Sequence, residues 1–207
     1  MYLFCANINL RGGIMINFIK KVLRRLLIIF LNIVLLISII FVMSKGREFR
    51  KIQRYVSEVI DVNVLDGELL VNYDDHGGFL GDGETFIKIK MPNNRCLDVM
   101  KTNPKWLPLP FSSNISRVVY GIESKEFSAS SMIRYHDSDE VLIPPIKNGY
   151  YYFFDRHMES KNPKDDTELF NRCSYNFTLV IYDTDERMLY FISVSYTHLT
   201  LPTILRV

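Results

Sequence analysis

The apolar positions of this chain fall into three regimes. From Leu26 to Met43, eighteen consecutive residues carry no charge, and fifteen of them are Leu, Ile, Val or Phe. Only Asn32 and Ser38 bring hydrogen-bonding side chains into the run. As a helix rising about 1.5 Å per residue it spans roughly 27 Å, close to the ~30 Å hydrocarbon core of a bilayer. Each aliphatic or Phe residue contributes roughly −0.3 to −0.6 kcal/mol near the helix centre, so the sum favours insertion even with Asn32 and Ser38 charged against it. The pattern predicts a transmembrane anchor over 26–43. In the second regime Phe49, Ile52, Val56 and Val59 recur at helical spacing, with Arg50, Lys51, Arg54 and Glu58 elsewhere on the wheel. This predicts an amphipathic helix over 44–61 that continues from the anchor and docks its stripe on the domain; the stripe is too short to assert a coiled coil.

The third regime alternates. Glu68 to Tyr73 and Thr85 to Met91 read as strands flanking a glycine-rich connection, with Ile87, Ile89 and Met91 alternating against Lys88 and Lys90. Asp98 to Trp106 predicts a short helix stopped by Pro108 and Pro110. Arg117 to Gly121 reads as a strand, Ser124 to Ser131 as polar loop or short helix, and Tyr150 to Phe154 as an aromatic strand. His157 to Thr167 is polar and predicts an exposed loop. Tyr175 to Tyr182 and Arg187 to Ile192 predict a hairpin across Asp183 to Glu186. The fold class expected is α+β with a mainly antiparallel sheet over 62–192.

Both termini change the boundaries. Arg11-Gly12-Gly13 ahead of Met15 fits codons of a ribosome-binding site, so 1–14 is expected to be a translated leader and 15–25 a basic tail. Val194 to Thr203 resembles the translation of a transposase sequencing adapter, and Ser193 and Ile204 to Val207 fit its flanking bases. The stretch 193–207 is therefore expected to be an artefact with no functional residues, on a domain cut short near Ile192.

The formal net charge of +2 hides an asymmetry. Lys20, Lys21, Arg24 and Arg25 precede the apolar run, and Lys45, Arg47, Arg50, Lys51 and Arg54 follow it. From Tyr55 to Ile192 there are 14 Lys and Arg against 22 Asp and Glu, a net of −8. An acidic domain repels phosphate backbones, which excludes nucleic acid as the expected partner, while the basic flanks suit anionic headgroups. The run is longer than a cleaved signal core, and no A-x-A pattern follows it, so it reads as an uncleaved signal-anchor. Near-balanced basic flanks leave orientation open by charge alone; the short basic tail places the N-terminus inside and the domain outside the cell membrane. Cys96 and Cys173 permit one disulfide, which spacing alone does not argue for.

Candidate chemistry concentrates in Asp74-Asp75-His76-Gly77-Gly78-Phe79-Leu80-Gly81-Asp82-Gly83-Glu84. Its glycines predict a tight or bulged hairpin turn. Asp74, His76 and Asp82 have the ligand types of a divalent-metal site and would make a metal-dependent hydrolase, although the spacing matches no EF-hand loop or paired-histidine motif. His76-Gly77-Gly78 as an oxyanion segment lacks any G-x-S-x-G elbow, and no Gly-Lys-Ser/Thr follows to make a phosphate loop. His136 sits in an acidic loop, and His157 ends the aromatic strand. The binding surface expected here combines His76, Gly77, Gly78 and Asp82 with Tyr151, Asp155 and His157. Half of the aromatic strand should face the core by alternation, and Trp106 should be a packing anchor.

Three stretches, DDHGGFLGDGETFIKI (74–89), NGYYYFFDRHMESKNP (148–163) and SYNFTLVIYDTD (174–185), together resemble an uncharacterised group of small bacterial proteins with an N-terminal membrane anchor. The resemblance spans about residues 50–192 and implies anchoring, a shared fold and a last strand continuing past Ile192. It implies no reaction and no cofactor. The sequence thus points to a membrane-anchored envelope protein acting as a binding or accessory module toward a protein or glycan. A metal-dependent hydrolase or a cytoplasm-facing regulator are the alternatives, and no catalytic residue is assigned.

Overall fold

Helix α1 (Tyr2–Ile60) runs unbroken for 59 residues. A computed structural model describes residues 2–77, 81–123, 128–129, 131–133 and 142–197. The chain divides into two compact units, 1–50 and 51–207. The first unit is helix alone. From Lys20 to Arg50 every residue is exposed, and this is one helix long and apolar enough to cross a membrane. Its two polar residues fold back on the backbone: Asn32 Nδ2 donates to the Ile28 carbonyl at 2.8 Å and Ser38 Oγ to that of Val34 at 2.9 Å.

The second unit opens with the last ten residues of α1, and their apolar stripe is core. Val56 and Ile60 are fully buried, and Ile52 and Val59 pack beside them. The helix stops where Asp61 turns to φ +54°. A six-stranded antiparallel sheet follows, built from β1 (Glu68–Asp74), β2 (Gly83–Lys90), β3 (Trp106–Pro108), β6 (Gly149–Asp155), β7 (Tyr175–Asp183) and β8 (Met188–Tyr196). Its order is β1-β2-β8-β7-β6-β3. A register shift between Leu69 and Val71 marks a bulge in edge strand β1. A small ladder, β4 (Ile122–Glu123) with β5 (Ser128–Ala129), lies in the stretch read as polar loop or short helix.

Both faces of the sheet are covered, which is why β7 and β8 read as nearly continuous apolar runs rather than strict alternation. Phe177, Leu179, Ile181, Tyr151 and Phe153 point to one core, capped by α3 (Ser113–Tyr120) through Ile115, Val118 and Val119. Val180, Tyr182, Leu189, Phe191 and Tyr152 point to the other, capped by α1, by α2 (Arg95–Thr102) through Cys96 and Met100, and by Trp106. Trp106 is the expected anchor: its indole N–H donates to the Ile60 carbonyl at 3.3 Å, and its ring lies 5.9 Å from that of Tyr152. The α+β class and the antiparallel sheet stand as read.

Three readings need correction. Arg117 to Gly121 is the end of helix α3, not a strand. Ser112 caps it by accepting from the Ile115 N–H at 3.1 Å, and Ile115, Val118 and Val119 fall on one helical face. Burial on that face overrides the strand preference of two adjacent valines. The helix expected over 98–106 is instead α2 at 95–102, with Trp106 already in β3. Strand β8 does not stop at Ile192: Ser193 to Ser195 pair with β2 on one side, and Ser193 to Tyr196 pair with β7 on the other. The ladder uses backbone groups, so it continues through any sequence of adequate strand propensity.

Candidate functional site

One end of the sheet gathers the residues singled out in the sequence. The β1–β2 turn, the C-terminal ends of β6 and β8, and the start of β7 all lie there. Gly83 pairs with Ser195, Asn176 also pairs with Ser195, and Asp155 pairs with Phe177. Three strand spacings separate β2 from β6, about 14 Å at ~4.8 Å each. Cross-strand pairing aligns Asp74, Thr85, Ser193, Thr178 and Phe154 in one row, on the face whose other half is the α1 core. Beyond that core the face therefore turns polar.

At the β2 side the turn is held by its own acids. Asp74 Oδ1 lies 2.7 Å from His76 Nδ1 and accepts the His76 N–H at 3.1 Å. Thr85 Oγ1 lies 3.3 Å from the same ring nitrogen. Both ring contacts are at Nδ1, so the pair orients the imidazole and leaves Nε2 as the nitrogen for a ligand. Burial acts to raise the Asp74 carboxyl, but the hydrogen bonds and charge of His76, with Thr85, outweigh it and hold the group below its ordinary range. Asp75 closes the turn: Oδ1 accepts the Glu84 N–H at 2.5 Å and Oδ2 the Tyr73 hydroxyl at 2.9 Å. Gly83 sits at φ +155°, where a Cβ would stand 2.5 Å from His76 Cα, so the turn requires glycine. Gly77 N–H donates to the Asp82 carbonyl at 3.1 Å. Gly78 lies outside the described residues.

At the β6 side Arg156 lies across three strands. Its Nε donates to Asn176 Oδ1 at 2.8 Å and Nη1 to Thr178 Oγ1 at 2.6 Å. Nη2 is shared among the Phe177 carbonyl at 3.1 Å, Ser193 Oγ at 3.0 Å and the Val194 carbonyl at 3.3 Å. All five acceptors are neutral, and burial draws the guanidinium below its ordinary value against the opposing pull of Tyr55, Tyr152 and Asp155. Sequence reading missed Arg156; its one signal was its place at the end of a strand, followed by His157. Phe154, half-exposed, stacks on Tyr152 at 6.4 Å beside it.

The remaining expected residues divide. Tyr151 is 6% exposed, with its ring 5.3 Å from Phe111 in the opposite core, and does not join the surface. Asp155 is buried and paired to Arg172 at 2.7 Å. His157 uses both nitrogens in the loop, Nδ1 accepting the Glu159 N–H at 3.2 Å and Nε2 lying 2.7 Å from Ser174 Oγ, so it is a structural residue. His136 lies outside the described residues. The metal set is not assembled. Asp74 and His76 meet, but the Asp82 carboxylate accepts from Thr197 N–H and Oγ1, each at 3.0 Å, and among the described residues no three His, Cys, Asp or Glu are placed to hold an ion. Tyr196, expected to carry no role, donates to Glu84 Oε1 at 3.0 Å. Cys96 is buried and Cys173 exposed, both as free thiols.

The polar loop after β6 also forms more than solvated chain. Residues 159–172 enclose a cleft of about 480 Å³, bordered by Lys161 and Arg172 and by Glu159, Asp165 and Glu168. Asn114 Nδ2 ties it to α3 through the Asp166 carbonyl at 2.8 Å, and Ser112 bonds the Asp166 carboxylate. The Asn162 and Asp165 side chains each accept an N–H two residues on, at 3.2 and 2.9 Å, the Asx-turn signal that marks order in a polar stretch. No family model matches this chain, and no curated protein or solved structure is significantly similar to it.

Proposed function

We propose that this is a single-pass membrane-anchored protein whose acidic domain stands outside the cytoplasmic membrane and binds an envelope protein or glycan through the polar end of its sheet. The observation that carries the reading is convergence. The His76 turn and the Phe154–Arg156 segment are distant in sequence, yet they share one face and one end of the sheet. An oriented imidazole, the part-exposed Thr85 hydroxyl, a guanidinium bonded to the buried Thr178 and Ser193 hydroxyls and other neutral acceptors, and a half-exposed Phe ring make a surface suited to polar recognition. The apolar helix and its basic flanks support the anchor, as does the resemblance to small anchored bacterial proteins.

The test uses the full chain in intact cells. Added protease should digest the domain without lysis. Cross-linking should capture the same partner in wild type and in a Met158→Ala control, and lose it with His76→Ala plus Phe154→Ala. A partner set unchanged by that double substitution removes the sheet-end surface from the proposal. A domain digested only after lysis places it in the cytoplasm and favours the regulator reading.

A further inference from the structure

We infer that the membrane helix pairs with a second copy of itself through Asn32, an inference that rests on the anchor reading above. Asn32 lies within about 4 Å of the middle of the 26–43 run at about 1.5 Å per residue, and it is exposed. Its Nδ2 donates to the Ile28 carbonyl at 2.8 Å. That occupies one of two amide hydrogens, and the exposed side chain keeps the second hydrogen and the two lone pairs of its oxygen to satisfy. Water would fill this capacity; hydrocarbon offers neither donor nor acceptor, and an unmet amide there is costly. Ser38 gives the contrast. Its single hydroxyl hydrogen is already given to Val34 at 2.9 Å, and it stands about 120° from Asn32 around the helix.

A carboxamide is its own complement. Two Asn32 side chains related by a two-fold axis along the helices can exchange two N–H···O bonds at one depth. A different helix would have to bring its own polar group to that depth, whereas a second copy carries one by symmetry. The surrounding surface is apolar and can interdigitate with a second copy. Ile28, Leu35, Leu36, Ile39 and Met43 are exposed and fall within about 60° of Asn32 around the helix. Gly46 continues the same face with nothing within 4 Å of where a Cβ would stand. A lone polar residue in an apolar seam also fixes register, because any slip separates the amides. Arg25 and Arg50 end this face; at headgroup depth anionic lipid screens them, and their mutual repulsion confines the contact to the membrane interior.

The experiment is sedimentation equilibrium of the full chain in density-matched detergent over a range of protein-to-detergent ratios, after alkaline carbonate extraction of the source membranes. Wild type should remain with the membranes and show a reversible monomer–dimer equilibrium. Asn32→Leu should raise the dissociation constant roughly 3- to 30-fold. Asn32→Gln should hold most of the affinity, and Ser38→Ala should stay within about twofold of wild type. Release by carbonate overturns the anchor reading and the pairing with it. A carbonate-resistant chain that is monomeric at every ratio, or whose dimer is unchanged by Asn32→Leu, overturns the pairing alone.

Discussion

Replacing Arg172 by Met tests how far the polar end of the sheet depends on one buried ion pair. Arg172 Nη2 stands 2.7 Å from Asp155 Oδ2, with the side chains 8% and 1% exposed. The other Asp155 oxygen accepts the His157 N–H at 3.0 Å. Methionine keeps much of the arginine stem's volume and removes the charge, leaving a buried carboxylate with one hydrogen bond and no ion-pair partner in contact. Removing one partner of a buried pair costs roughly 3–5 kcal/mol, against roughly 0.2–1 kcal/mol for an exposed one. The surviving backbone bond and the adjoining cleft, which admits water, put the expected loss near the lower bound, about 3 kcal/mol. Urea unfolding of the detergent-solubilised chain, read by fluorescence of the single buried Trp106, reports it. At about 1–3 kcal/mol per molar of urea, the midpoint should fall by roughly 1–3 M. Adding Asp155→Asn to Arg172→Met removes the stranded charge and should recover more than half of the loss. A cost under about 1 kcal/mol, or a double variant no better than the single, refutes the reasoning.

Three further outcomes follow from the same geometry. Because the Asp74 carboxyl is held below 3.8, its contribution is present above its unfolded value near ~3.9 and is lost as pH falls through the depressed folded value. Carboxyl-carbon NMR should show that depression, and His76→Ala should return the titration toward 3.8; an unchanged curve would mean the pair does not form in solution. Gly83→Ala drives a Cβ onto the His76 backbone at a positive φ; it should cost about 2–4 kcal/mol and release the Asp74 titration as well, whereas a neutral effect in urea would contradict the turn's need for glycine. Ile60→Ala empties a fully buried site and should cost about 2–5 kcal/mol; it should also shift Trp106 emission, since the Ile60 carbonyl accepts the indole N–H.

What the sequence disclosed, and what it hid, follow from the range of the interactions involved. The apolar run, the docked stripe and the strands at β1, β2, β6, β7 and β8 are local periodicities, and each appears near where the pattern places it, with β2 starting two residues earlier and β8 running on to Tyr196. The α3 helix was hidden because its defining features, the Ser112 cap and the burial of Ile115, Val118 and Val119, depend on a sheet that is not yet formed at that level. Alternation separates Tyr151 from Tyr152, but only the two-sided packing shows that both are buried. The sheet-end surface was half legible. The glycines and acids around His76 mark a turn, whereas Arg156 acquires its role from Asn176, Thr178 and Ser193, 20 to 37 residues away. The Asp155–Arg172 pair is hidden for the same reason, since Asp155 alone reads as part of an exposed binding surface and Arg172 carries no local signal.

The two margins of the sheet bear on how such a chain behaves when crowded. Strand β1 is a seven-residue edge strand of the described sheet, the length at which edge-to-edge aggregation becomes a hazard. Its bulge between Leu69 and Val71 breaks the flat repeat that an incoming strand would need. Antiparallel pairing with another copy centred on Val71 would set Glu68 against Asp74 twice, like charge on like charge. The opposite margin, β3, is three residues long and ends in Pro108, which has no N–H to offer. Both margins are thus poor templates for a second sheet, so copies can stay at high density without their domains polymerising into cross-β ribbons.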